Sequence, residues 1–247
     1  MRKETDMDGL KSLAHTLLLF EPVPTEYSPM IVKHPFTDSS IVLLKDGNGE
    51  VPQFADITED KAAFKTWQEE MKKQIDALSS PGQFLLMLTK SYYLGFLKYA
   101  EPYLSQQDFS EFLATAWIIN EAPNADPNFS QRKLLGLFKK AEPESLMAED
   151  EYQRLQDLEE TVTIYRGVTS HNAGRVKVLS WTLDKQTAEW FAHRFGEDGT
   201  VYEAEIDKTH IYALFNGRNE SEVIIDPKYL MNLSEVQDMD EGFTMTQ

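Results

Sequence analysis

From Thr161 to Asp226 apolar and polar positions alternate, the pattern of strands whose successive side chains point to opposite faces of a sheet. In the first such stretch Val162, Ile164 and Val168 share one face, and Arg166 falls on it with them. A guanidinium keeps its charge and carries five donors, so on an apolar face it needs a fixed anionic partner. Val176, Val178, Ser180 and Thr182 share a face of a second predicted strand. Glu220, Glu222 and Ile224 share a face of a third, which the alternation opens at Asn219. An arginine, a hydroxyl pair and a carboxylate pair thus stand where plain core strands would continue with Val or Ile. Val201 to Asp207 alternates Tyr202, Ala204 and Ile206 inward with Glu203, Glu205 and Asp207 outward, a half-exposed strand, and Thr209 to Phe215 predicts another.

Before Thr161 the period is helical over most of the chain. Leu10 to Phe20 predicts a short helix ended by Glu21-Pro22-Val23-Pro24. Ile41 to Leu44 and Glu50-Val51 flank Asp46-Gly47-Asn48-Gly49 and predict a hairpin around a glycine-rich turn. That loop has calcium-like spacing, but the carboxylates that complete an EF-hand are missing, which leaves the turn. Thr58 is the expected N-cap of a helix with the stripe Phe64, Trp67, Met71, Ile75 and Leu78. Ser79-Ser80-Pro81-Gly82 breaks it, and Phe84 to Tyr99, apolar almost all round, predicts a central helix stopped by Glu101-Pro102. Asp108 to Ile119 is a third helix of this block, and Asn120 to Asn128, with Pro123 and Pro127, is a loop. Phe129 to Lys140 and Ser145 to Glu159 predict two more helices with Pro143 between them. The block reads as a scaffold for the sheet or as a target-recognition module. Its dense basic group, Arg132, Lys133, Lys139 and Lys140, is explained most simply as a solvated helix face. Its aromatic stripes read as core.

Composition narrows the function. The 247 residues carry 24 Lys and Arg against 41 Asp and Glu, a net charge of −17, and such a field repels nucleic acid and anionic membrane at long range. The absence of cysteine removes disulfides, thiolate metal ligands and thiol nucleophiles together. Arg2 and Lys3 precede the apolar run Leu17 to Phe20, but Glu4, Asp6 and Asp8 spoil a basic leader and no small-residue cleavage site follows. No run approaches the ~20 apolar residues of a membrane span. The expectation is a soluble, cytoplasmic protein; dedicated export machinery would still permit delivery into another cell. His15, His34, His171, His193 and His210 show no metal-ligand spacing, so no metal is expected. Neither a Gly-x-Ser-x-Gly elbow nor a dinucleotide or phosphate-loop fingerprint is present.

Arg166, Ser180-Trp181-Thr182 and Glu220-Ser221-Glu222, in that order and each on a predicted strand, resemble the mono-ADP-ribosyltransferase superfamily in its Arg–Ser–Glu class. The helix expected at Lys185 to Phe195 is similar to the one that follows the hydroxyl pair in that family. The resemblance covers the last third of the chain. It implies an α+β fold, with a helical N-terminal region packed on an ADP-ribosyltransferase-like β-core. The chain then divides into an extension with a hairpin (1–57), a helical region (58–160), an NAD-binding β-core (161–233) and an acidic disordered tail (234–247).

The same resemblance implies NAD as co-substrate and cleavage of its nicotinamide–ribose bond through a transition state of oxocarbenium character. Glu222 would hold the ribose 2′-hydroxyl beside the developing cation, a demand like that of glycoside hydrolysis. Glu220 would orient or deprotonate the acceptor, or else be a capping or turn residue. Arg166 would fork onto the diphosphate, with an internal salt bridge as the rival reading. Gly167 would let the backbone approach the nicotinamide amide. Ser180 would hold the Glu222 rotamer, and Thr182 would brace the strand. Phe215 is either a target-contacting aromatic or core; Arg218 either meets an anionic target or faces water. The acceptor is a macromolecule, a protein arginine ahead of a nucleic-acid base, and the setting a bacterial or phage toxin or effector with an inhibitor or antitoxin partner. An NAD glycohydrolase and a non-enzymatic interaction protein of the same fold are the alternatives.

Overall fold

The computed structural model describes residues 3–45, 52–120 and 122–236. It is an α+β protein with its larger sheet toward the C-terminus, and it divides into units 1–128 and 129–247. The division falls at the end of the predicted loop 120–128, so the helices after it belong with the larger sheet.

In the first unit α1 (Met7–Leu18) is capped by Asp6, whose side chain accepts from the Gly9 amide, and it buries Leu10, Ala14 and Leu18 at helical spacing. The strands β1 (Val23–Pro24), β2 (Ile31–His34) and β3 (Thr37–Ser39) form a small antiparallel sheet. A hairpin joins β4 (Ile41–Lys45) to β5 (Pro52–Asp56), with Ile41 opposite Asp56 and Lys45 opposite Pro52. The described part of the second strand begins at Pro52, and Glu50-Val51 and the expected turn at Asp46 to Gly49 lie outside the described residues. The helix α2 (Lys61–Asp76) is capped by Asp60 and not by Thr58. The amide and the hydroxyl of Thr58 both donate to the Asp56 carboxylate, at 2.9 and 2.6 Å, which ties Thr58 to the end of β5, while the Asp60 carboxylate accepts from the Ala62 and Ala63 amides.

The central helix expected over 84–99 is broken. α3 (Gly82–Met87) and α4 (Tyr93–Ala100) are separated by extended backbone at Leu88 and Thr89 and a short 3₁₀ turn. Thr89 explains the break, since its amide donates to the Pro35 carbonyl and its hydroxyl to the His34 carbonyl. α5 (Gln106–Ile119), capped by Ser105, completes the unit. Phe84, Phe96 and Phe112 stack in series through its core, with centroids 5.5 and 5.7 Å apart.

The second unit opens with α6 (Gln131–Lys140), the one-turn α7 (Pro143–Leu146) and α8 (Glu149–Gln156); Pro143 starts α7 where a proline lacks only a donor the helix would not use. The strands follow as β6 (Thr161–Val168), β7 (Ser180–Thr182), β8 (Thr200–Asp207), β9 (Ile211–Phe215), β10 (Glu222–Ile225) and β11 (Met231–Glu235). The helix α9 (Lys185–His193) lies between β7 and β8. All six strands form one sheet in the order β11-β8-β6-β7-β10-β9, with every neighbouring pair antiparallel. β11 carries Ser234 and Glu235 into the sheet, which corrects the tail expected to be disordered from Ser234; Asp238, Asp240 and Glu241 lie outside the described residues. Lys139 is likewise more than a solvated cation: its ammonium meets Asp226 at 2.8 Å and tethers α6 beyond the end of β10.

Candidate active site

The sheet is unevenly knit. β6 and β8 pair along their whole length, from Thr161 opposite Asp207 to Val168 opposite Thr200. β6 and β7 share one pair only, Tyr165 opposite Thr182. The halves β11-β8-β6 and β7-β10-β9 therefore part at this seam, and the next residue of β6 is Arg166. Its strand face is as expected, with Val162, Ile164 and Val168 buried beside it. Val176 and Val178 do not extend β7, because the chain turns tightly there, the Val178 amide reaching the Val176 carbonyl at 3.0 Å.

Three residues are linked in series across the seam. The Arg166 Nη1 donates to the Ser180 carbonyl at 2.6 Å, and the Ser180 hydroxyl donates to Glu222 Oε1 at 2.5 Å. Ser180 sits opposite Ile224 in the β7–β10 register, which brings its hydroxyl alongside the first residue of β10. Glu222 is 8% exposed, a carboxylate at the start of a strand buried throughout its length. Burial pushes the Arg166 guanidinium down to about 10, Glu222 opposing the shift and Arg194 adding to it. Arg166 stays charged at neutral pH, and its Nε is buried with no hydrogen bond reaching it among the described residues. An orphaned donor on a buried cation is costly unless a ligand satisfies it.

Glu220 stands apart from this group. The strand starts at Glu222 and not at Asn219, because Asn219 and Ser221 have φ of 57° and 44° and take Glu220 out of the alternation. Left-handed backbone at residues other than glycine persists only where the surroundings hold it. Here the Thr182 hydroxyl donates to the Glu220 carbonyl at 2.6 Å and the Leu183 amide to the Ser221 carbonyl at 3.0 Å. The Asn216 side chain accepts from the Ser221 amide at 3.2 Å, the Asn216 amide donates to Glu151 at 2.5 Å, and Arg154 reaches the Ser221 hydroxyl at 3.1 Å. The loop is thus clamped between β7 and α8. On it the half-exposed Arg218 guanidinium meets the Glu220 carboxylate at 3.2 Å, so Arg218 pairs within its own loop rather than facing water alone. Thr182 braces this loop rather than its own strand.

Two other expected residues have structural duties. A Cβ on Gly167 would come within 2.0 Å of the Ala188 carbonyl oxygen and 2.6 Å of the Ala192 amide, so this glycine admits α9 onto the face of β6 opposite Arg166. Ala188, Ala192 and Val201 form that contact, with Tyr165 packed against it. Phe215 is 3% exposed at the end of β9, its ring 6.5 Å from that of Phe138, which makes it core and not a target contact. The residues the sequence did not single out are Arg194, whose charge acts on Arg166, and Glu151, Asn216 and Arg154, which hold the loop. Arg154 and Glu151 fall on a predicted helix, but their partners lie 67 and 65 residues further on, beyond the reach of periodicity.

No group of three or more His, Asp or Glu residues arranged to hold a metal occurs among the described residues, and none of their helices is long and apolar enough to cross a membrane. No family model, curated protein or solved structure matches the chain.

Proposed function

We propose that the chain is an NAD-dependent mono-ADP-ribosyltransferase that modifies a macromolecule, a protein arginine ahead of a nucleic-acid base. The observation that carries this reading is the connected set Arg166–Ser180–Glu222 at the seam of the sheet. The donor set suits a dinucleotide: a buried guanidinium keeps one donor unsatisfied and is stabilised in its charged form by a carboxylate nearby, as a diphosphate and an adjoining sugar require.

NAD, when bound, supplies the ADP-ribosyl group by losing nicotinamide. The protein's part is positioning and electrostatics. Arg166 anchors the diphosphate. Glu222, its rotamer held by the Ser180 hydroxyl, accepts from the ribose hydroxyl beside the anomeric carbon and steadies positive charge there. Glu220, presented on the clamped loop, receives the proton that the acceptor nitrogen sheds as its lone pair bonds to the anomeric carbon. The electron pair of the broken bond leaves with nicotinamide.

Incubation of the full chain with labelled NAD and cell lysate tests the proposal. Label on protein supports it, and label on RNA or DNA changes the acceptor. Free ADP-ribose as the sole product replaces transfer with hydrolysis, and no NAD binding by calorimetry overturns it. Glu222→Gln is expected to abolish transfer while calorimetric NAD binding and the thermal midpoint persist; unchanged transfer removes Glu222 from the mechanism.

A further inference from the structure

The Arg218–Glu220 pair is unusual in where it is built. Its two residues lie on one short loop, Asn219 between them and Ser221 after them both have left-handed backbone, and five hydrogen bonds to β7, α8 and the loop itself hold that shape. None of those bonds uses the side chain of Arg218 or Glu220. The carboxylate, 22% exposed, meets the guanidinium, 45% exposed, at 3.2 Å. The loop backbone thus fixes where Glu220 stands, and the ion-pair partner of its carboxylate is a guanidinium of the same chain.

We propose that Arg218 is a resident stand-in for the acceptor: its guanidinium holds the place on Glu220 that an acceptor guanidinium takes for transfer. This rests on the transferase reading, in which the acceptor is an arginine, and adds a control on acceptor entry at the same carboxylate. Acceptor entry becomes an exchange of one arginine for another on Glu220, so a flexible resident competitor weakens binding of every guanidine acceptor and leaves NAD binding to other residues. A half-exposed ion pair is worth little, which sets the scale: displacing Arg218 raises the apparent KM for a guanidine by roughly two- to fivefold.

The test is steady-state transfer from NAD to agmatine, a small guanidine, by the full chain, with KM for agmatine and KM for NAD measured separately. Arg218→Ala is expected to lower KM for agmatine by roughly two- to fivefold relative to KM for NAD, and the gap to narrow as salt screens the pair. Arg218→Gln, which keeps a neutral polar side chain in place of the cation, is expected to do the same and stands in should the alanine variant misfold. ADP-ribose mapped onto Arg218 itself also supports the proposal, because it places that guanidinium at the reacting position. Transfer to agmatine with KM unchanged or raised in both variants overturns the stand-in while leaving the transferase reading intact. An absence of any NAD binding or transfer in the wild-type chain fails that reading instead.

Discussion

Acid should loosen the first unit through a single buried histidine. His34 ends β2 with 1% exposure, its Nδ1 accepting from the Phe36 amide at 3.1 Å and its ring edge-on to Trp67 at 5.1 Å. Burial pushes its pKa down from 6.5 to about 4, partly opposed by the carbonyls of Phe20 and Leu18. Between those values the unfolded chain binds a proton that the folded chain refuses, so folding is fully supported above pH 6.5 and loses support as pH falls toward 4. Each pH unit in that window costs about 1.4 kcal/mol, so the whole descent removes about 3 kcal/mol, a large part of a domain's ordinary stability. The carboxylates titrate at the lower end of the same window, so the measurement is a difference. Urea unfolding of the wild type and of His34→Asn, whose side-chain oxygen can replace Nδ1 as the acceptor, is followed from pH 7.5 to 4.5. The wild type should lose about 2 kcal/mol or more of stability relative to the variant across that range. Parallel pH profiles, or a native-state NMR titration of His34 with a midpoint near 6.5, would refute the reasoning.

Two further predictions concern the second unit, the first of them resting on the proposed transferase activity. Ser180→Ala removes a hydroxyl donated to a buried carboxylate, a contact worth about 1.5–3 kcal/mol, so nicotinamide release should slow about ten- to a hundredfold in kcat with KM for NAD little changed. A loss confined to KM would mean that Ser180 binds NAD and does not position Glu222. Gly167→Ala drives a methyl group into the backbone of α9 and should cost about 3 kcal/mol in urea unfolding. A wild-type midpoint would show that α9 does not approach β6 this closely.

The alternation of β6 was legible because each of its positions is used once, Val162, Ile164 and Val168 inward and Thr161 and Thr163 outward. The same rule failed at Glu220, where two left-handed residues break the period, and nothing in Asn219 or Ser221 as residue types demands that conformation. Their backbone is held by Asn216, Thr182 and residues of α8. Thr58 was the expected cap of α2, but Asp60 caps it, and Thr58 is bonded to Asp56 instead. Phe84 to Tyr99 carries enough apolar residues for one helix, yet Thr89 gives its hydrogen bonds to the carbonyls of residues 34 and 35 instead.

Local order of this kind is a property of the chain over a few residues, and sequence alone determined it: which segments alternate, which coil, and which of them carry an arginine, a hydroxyl and a carboxylate in turn. Tertiary structure alone decided that Arg166, Ser180 and Glu222, separated by 14 and then 42 residues, touch at one seam, that Gly167 admits a helix, and that Phe215 is core. The physical reason is range. Side-chain periodicity is set by backbone geometry within a turn or a strand, whereas a site is made where distant strands exchange hydrogen bonds, and that choice depends on the packing of the whole unit.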